Sequence, residues 1–199
     1  MLRKMVPVAI CLLALGITGV GQNELGNQLR QQLLTQEEMQ ALLGTQWILD
    51  SVDELKDIEG ATASAIGKYF DTSTENTLTN GLIIFENFDF AGGYLTGLLE
   101  AEIVESKRNL LEEAKDNPDL LTERIRNEAE QVFLLVLGNG LHQLMVRRGS
   151  LIFFFRTDME SNVGLEQLIK VADKQLEKTL AYCAEFAEGA VPTYCNKSS

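Results

Sequence analysis

Three apolar segments, residues 131–137, 141–147 and 151–156, follow one another with only Gly138-Asn139-Gly140 and Arg148-Gly149 marking the breaks. Connections this short join antiparallel neighbours, because a parallel crossover needs a dozen or more residues. Asn139-Gly140 is a favoured hairpin dipeptide, since both central residues of the tightest turn require positive φ. An antiparallel meander is therefore expected here. Residues 132–137 read Val-Phe-Leu-Leu-Val-Leu and residues 151–155 read Leu-Ile-Phe-Phe-Phe. A strand with one wet face alternates; these do not, so both faces of the sheet are expected to be covered, with Phe154 in the buried middle.

The remaining pattern supplies the cover. Leu165, Leu168, Ile169, Ala172, Leu176, Leu180 and Cys183 recur at helical spacing, while Lys170, Asp173, Lys174, Glu177 and Lys178 fall off that stripe. This is the clearest amphipathic helix of the chain. Thr35 and Glu38 form a capping box, with Leu34 and Met39 as its hydrophobic staple, and predict a short helix over 36–43 closed by Gly44. Residues 46–52 read as a strand, with Trp47, Leu49 and Ser51 on one face. Residues 61–70 fit helix or strand equally, and 71–81 read as a polar loop. The apolar run 82–90, bounded by Asn80-Gly81 and Gly92-Gly93, predicts a strand with Leu82, Ile84, Glu86, Phe88 and Phe90 on one face. A helix is expected over 94–115, and another from an Asn117-Pro118 start to about Glu130. The fold class is thus α+β: an antiparallel meander covered by helices on both faces, an α/β/α sandwich, with a C-terminal amphipathic helix.

The first 21 residues belong to a different class. Arg3 and Lys4 precede an uncharged, mostly aliphatic run over 5–20, and Gly19 and Gly21 place small residues before a cut at Gln22. Charge, apolar run and small-residue exit define a secretory signal. Sixteen helical residues reach about 24 Å, short of the roughly 30 Å hydrocarbon core. A cleaved signal is therefore expected, with an uncleaved membrane anchor as the alternative. Cys11 lies too early in the apolar run for a lipid-carrying cysteine. The division is then a signal peptide over 1–21, a mobile or partly helical lead-in over 22–34, one domain over 35–188 and a tail over 189–199. The location is extracytoplasmic, secreted or periplasmic, with membrane contact only through the first segment.

The chain carries 17 basic and 29 acidic residues, a net charge of −12. Losing Arg3 and Lys4, the only charges of the signal, takes that to −14. So acidic a surface repels phosphate backbones, which argues against nucleic acid as a partner. Beyond the signal only Cys183 and Cys195 remain. An even count in an exported chain reads as a disulfide, here closed by a segment that Gly189 and Pro192 can turn.

Chemistry is sparse. His142 is the one histidine, set in a strand with no nucleophile motif around it. There is no Cys-x-x-Cys or His-Glu-x-x-His, no metal set is expected, and no cofactor loop is present. Residues 71–75, Asp-Thr-Ser-Thr-Glu, faintly suggest a calcium loop, but Asn76 and Leu82 stand where glycine and glutamate are needed. Arg147 and Arg148 at a hairpin tip could grip an anion or balance neighbouring acids. Asn196-Lys197-Ser198 is a glycosylation sequon. Glu86, on the apolar side of its expected strand, and Asp89 are the only carboxylates that suggest acid chemistry, and a bulge at Glu86-Asn87 or a wet strand end is the simpler reading of the first.

The stretch from Val146 to Phe155, Val-Arg-Arg-Gly-Ser-Leu-Ile-Phe-Phe-Phe, followed by the helix from Leu165 to Leu180, resembles the ending of small exported proteins with the PsbP-like α/β/α sandwich. The short helix near Leu34 to Gly44 and the strand-then-helix unit from Leu82 fit that layout. The helical insertion over 94–130 departs from it. The resemblance implies a binding or assembly role, since such folds host many functions. The function expected is a non-enzymatic extracytoplasmic binding or accessory domain for a protein or small-molecule ligand. The alternatives are a carboxylate-dependent hydrolase using Glu86 and Asp89, or a tethered envelope protein.

Overall fold

A computed structural model describes residues 15–106, 109–111, 119–136, 142–158, 163–186 and 191–197. The order is α1 (Leu15–Gln32), α2 (Gln36–Leu43), β1 (Trp47–Asp53), β2 (Ala61–Asp71), β3 (Thr77–Phe85), α3 (Phe88–Ser106), β4 (Asn109–Leu111), α4 (Glu123–Glu128), β5 (Gln131–Val136), β6 (His142–Arg148), β7 (Leu151–Thr157) and α5 (Leu165–Ala184). A 3₁₀ turn, Thr193–Cys195, follows. The strands form one seven-stranded sheet in the order β1-β2-β3-β7-β6-β5-β4, antiparallel at every pairing. The α+β class and the consecutive meander β5-β6-β7 are as the sequence predicts.

The main core lies on one face. Leu29 of α1, Met39 of α2, Ile125 of α4 and Leu168, Ala172 and Leu176 of α5 close over Tyr69, Leu82, Leu144, Phe153 and Phe155 of the sheet. The stripe that defines α5 is the face it buries. On the opposite face a smaller cluster joins Ile83, Phe85, Phe133, Met145 and Ile152 to Ala91 and Leu95 in the opening turns of α3, with Leu55 and Ile58 of the β1–β2 loop packed beside them. Alternation along β7 therefore splits three phenylalanines. Phe153 and Phe155 are fully buried in the main core, and Phe154 is half-buried on the second face. The expectation of Phe154 at the buried centre is corrected to its two neighbours.

Local signals read correctly where one short segment contains both partners. Thr35 Oγ1 accepts from the Glu38 amide at 3.2 Å, and the Glu38 carboxylate accepts from the Thr35 amide at 2.8 Å. That is the expected box, and Leu34 and Met39 are both buried beside it. Gly44 ends α2 at φ 114°, a conformation open at little cost only to glycine.

Other boundaries move. Residues 61–71 are the longest strand, settling the open choice between helix and strand. The expected loop 71–81 is only a turn. Thr77–Gly81 already belongs to β3, which ends at Phe85, so Glu86, Phe88 and Phe90 are not strand residues. Phe88 instead opens α3, six residues before the expected start. Asn109–Leu111, expected as helix, pairs with β5 as an edge strand. The helix after it is short and begins at a Thr122 cap. The Asn117-Pro118 start and the Asn139-Gly140 turn lie outside the described residues. The lead-in takes the helical one of its two expected forms: α1 runs through Gly21 to Gln32, and Leu29, Leu33 and Leu34 are buried in the main core. Among the described residues no helix is long and apolar enough to cross a membrane.

Candidate functional site

The end of β3 and the start of α3 build an open groove with the β1–β2 loop. Asn87 makes the corner. Its side-chain oxygen accepts from the Asp89 and Phe90 amides, both at 3.0 Å, which satisfies two of the free N–H groups at the helix start. The Glu86 amide donates to the Gly60 carbonyl at 2.9 Å, fixing the loop against this corner. Gly60 has φ 74°, and a Cβ there would overlap the Phe90 ring. Only glycine lets the ring lie where it does. Ser64 of β2 ties down the loop at Leu55: its Oγ donates to the Leu55 carbonyl at 3.0 Å and accepts from the Leu55 amide at 2.7 Å.

The groove has a volume of about 540 Å³ and is lined by Glu59, Asn87, Asp89, Phe90, Gly93 and Tyr94. Phe90 is 40% exposed, a large apolar ring presented to solvent. Tyr94 packs its ring 5.1 Å from Phe85, tilted by 42°, and burial pushes its hydroxyl above the ordinary tyrosine value. It stays a neutral donor at physiological pH. The lining thus combines two aromatic residues with two acidic ones.

The sequence candidates fall in different places. Asp89 is exposed and lines the groove, whereas Glu86 is exposed and is not among the lining residues. They do not form one enclosed pair, and Glu86 does not lie on the apolar face of a strand, the placement that suggested a desolvated acid. It followed from extending the strand past Phe85. His142 opens β6, half-buried, at the end of the strand away from the β6–β7 turn; its amide donates to Thr157 Oγ1 at 2.9 Å. Asp71 Oδ1 accepts from the Ser73 amide at 2.8 Å and the Ser73 hydroxyl at 2.6 Å. Burial alone would raise this carboxyl, but those bonds and others from Thr74 hold it below its usual range. The faint calcium loop is a self-satisfied turn, and among the described residues no group of His, Cys, Asp and Glu could hold a metal ion. Arg147 pairs with Glu130 at 2.8 Å and Arg148 with Glu128 at 3.5 Å, so both balance neighbouring acids. Cys183 and Cys195 are bonded, with their Cα atoms 5.6 Å apart.

Sequence reading missed Asn87, Phe90 and Tyr94 as a unit. The signal was present: an asparagine followed two residues later by an aspartate is a helix-start signature, but it was absorbed into an apolar run.

No known protein family matches the chain, and no curated protein matches it. A solved structure, the extracellular domain of PknH from Mycobacterium tuberculosis, aligns with a TM-score of 0.49 at 9% identity, covering 77% of this chain and 96% of that one.

Proposed function

We propose that this chain is a non-enzymatic extracytoplasmic binding or accessory domain, and that it holds its ligand in the groove at the start of α3. The observation that carries the reading is the pairing, in one open groove, of the exposed Phe90 ring and Tyr94 with the carboxylates of Glu59 and Asp89. Aromatic faces attract cations, and carboxylates add charge complementarity on a chain that is acidic throughout. A basic peptide or a small amine is the ligand class that fits. Glu59, Asn87 and Asp89 supply polar groups and Phe90 and Tyr94 aromatic surface, a mixed lining that suits a cationic ligand. The disulfide and the signal-like first 21 residues support the extracytoplasmic part of the reading, since disulfides persist in oxidising compartments. The resemblance of the sequence to PsbP-like proteins is part of the same proposal.

The test is an NMR titration of the ¹⁵N-labelled protein with a Lys/Arg-rich decapeptide at low and at physiological salt. The expected result is saturable shifts at Asn87, Asp89, Gly93 and Tyr94 that vanish in Phe90→Ala. Shifts spread evenly over the acidic surface, or unchanged by that substitution, would show general charge attraction and refute the groove.

A further inference from the structure

The chain after α5 returns to the body of the domain and grips four separate elements. Tyr194 is 2% exposed, and its hydroxyl accepts from Gln32 Nε2 of α1 at 3.1 Å. The Cys195 carbonyl accepts from the Arg148 guanidinium at the end of β6. The Asn196 carbonyl lies directly over Gly149, whose φ of 59° and lack of a side chain make room for it. Lys197 Nζ donates to the Asn127 carbonyl at 2.8 Å and pairs with Glu128 of α4 at 3.2 Å. The covalent tie to α5 is Cys183–Cys195, twelve positions apart.

We propose that residues 191–197 are a redox-released strap: closed while Cys183–Cys195 is oxidised, and free to leave the α1 end and the β6–β7 turn once a dithiol reduces it. The inference stands apart from the groove. A thiolate of the dithiol attacks one sulfur to give a mixed disulfide. Its second thiolate then displaces the cysteine, leaving two protein thiols and an oxidised, cyclised dithiol. Two electrons and two protons pass to the cysteines.

The bond is the part of the grip that acts over a distance. Tyr194 and its partner Gln32 are buried, as is Arg148, whereas the Lys197–Glu128 pair is partly wet, its side chains 43% and 30% exposed. Exposed pairs of this kind hold weakly. Closing a loop of this length, by contrast, shifts local opening by about a hundredfold in the chain-entropy account. Opening lifts the Cys195 carbonyl off Arg148 and the Tyr194 hydroxyl off Gln32. It therefore changes both the charge presented at the β6–β7 turn and the seating of α1.

Hydrogen exchange tests this. The Cys195 and Asn196 amides are bonded to the Pro192 carbonyl at 2.9 Å and the Thr193 carbonyl at 3.1 Å, so they report the strap directly. Exchange is measured on the full chain before and after dithiothreitol, with the thiols then alkylated. The expected result is about hundredfold faster exchange at those amides with α5 and β7 unchanged, and the same pattern in untreated Cys195→Ser. Unchanged exchange after reduction would show that the non-covalent grip suffices. Faster exchange throughout the chain would show that the bond staples the whole fold. Either result overturns the strap. Because reduction is applied to protein already folded, the test stands even where Cys195→Ser fails to fold.

Discussion

Phe153, Phe154 and Phe155 are identical in chemistry and adjacent in sequence, so replacing each by alanine isolates what the sheet does with them. Phe153 is 1% and Phe155 0% exposed, directly across from Leu82 and Asn80 of β3 and under α5. Truncating a fully buried phenylalanine removes its transfer energy and leaves a cavity that the packed α5 face cannot fill. The expected loss is about 3–5 kcal/mol. Phe154 faces the other way. It is half-buried, and its ring lies across Gly81, where a Cβ would overlap it. Half the burial of a phenylalanine, with solvent able to enter the space left, gives about 1–2 kcal/mol. Domains of this kind hold about 5–15 kcal/mol in total, so the first two substitutions consume a large fraction of it and the third does not. Urea unfolding under non-reducing conditions measures the difference. With a slope of about 2 kcal/mol per molar, the midpoint falls by more than about 1.5 M for Phe153→Ala and Phe155→Ala, and by less than about 1 M for Phe154→Ala. If Phe154→Ala loses as much as its neighbours, the assignment of faces along β7, and with it the β3–β7 register, is wrong.

Two further outcomes test the periphery. Burial by itself would raise the Glu38 carboxyl, but the Lys178 ammonium at 2.7 Å and the Thr35 amide at 2.8 Å outweigh it and hold it below its ordinary value. A carboxyl lowered on folding contributes stability above its unfolded value, near about 4.3, and that contribution disappears as pH falls through the lower folded value. Glu38→Gln keeps the capping box, so it should be less stable than wild type by up to about 1 kcal/mol at pH 7, with the gap closing below about pH 4; a gap that persists at pH 2 would mean the charge is not the cause. At the sheet edge, Gln36 Oε1 accepts from the Leu49 amide at 3.0 Å and Gln40 Nε2 donates to the Trp47 carbonyl at 2.9 Å, so α2 covers backbone groups that β1 would otherwise offer to another strand. Gln36→Ala with Gln40→Ala should show concentration-dependent association in sedimentation velocity beyond that of wild type, and identical profiles would mean the edge is protected by something else.

The meander, α2 and α5 were legible because their signals are local: turn dipeptides, a four-residue cap and a repeating stripe. What was lost depends on partners far along the chain. Asn80 reads as a loop residue, yet it is fully buried in β3 because its side-chain nitrogen donates to Gln175 of α5 at 2.7 Å. No single-sequence pattern announces a hydrogen bond across 95 positions. Without it, the strand had to be placed later, and every boundary from 77 to 94 shifted with it. The small residues of β2 have the same explanation. Ala63 and Ala65 lie beneath α1, whose Gly26 is also buried, and a close helix–strand approach selects side chains too small to show a periodicity. Along α1 and the residue that follows it, Leu25, Leu29 and Leu33 do recur at helical spacing. Gly21, Asn23, Gly26 and Asn27 dilute that stripe with poor helix formers, and tertiary packing, not propensity, decides the outcome.

The groove was illegible for a related reason. It exists only if three local events coincide: β3 must stop at Phe85, Asn87 must cap a helix, and Gly60 must adopt positive φ beneath Phe90. Read as a strand, the segment 82–90 sends Glu86 inward and makes it look like a desolvated acid. Read as a strand followed by a cap, the same residues turn Glu86 out to solvent and bring Asp89 and Phe90 to the groove. A five-residue shift in one boundary thus exchanges a hydrolase candidate for a binding surface. The discriminating residue is Asn87, because its side-chain bonds to two successive amides are what convert an apolar run into the corner of a site.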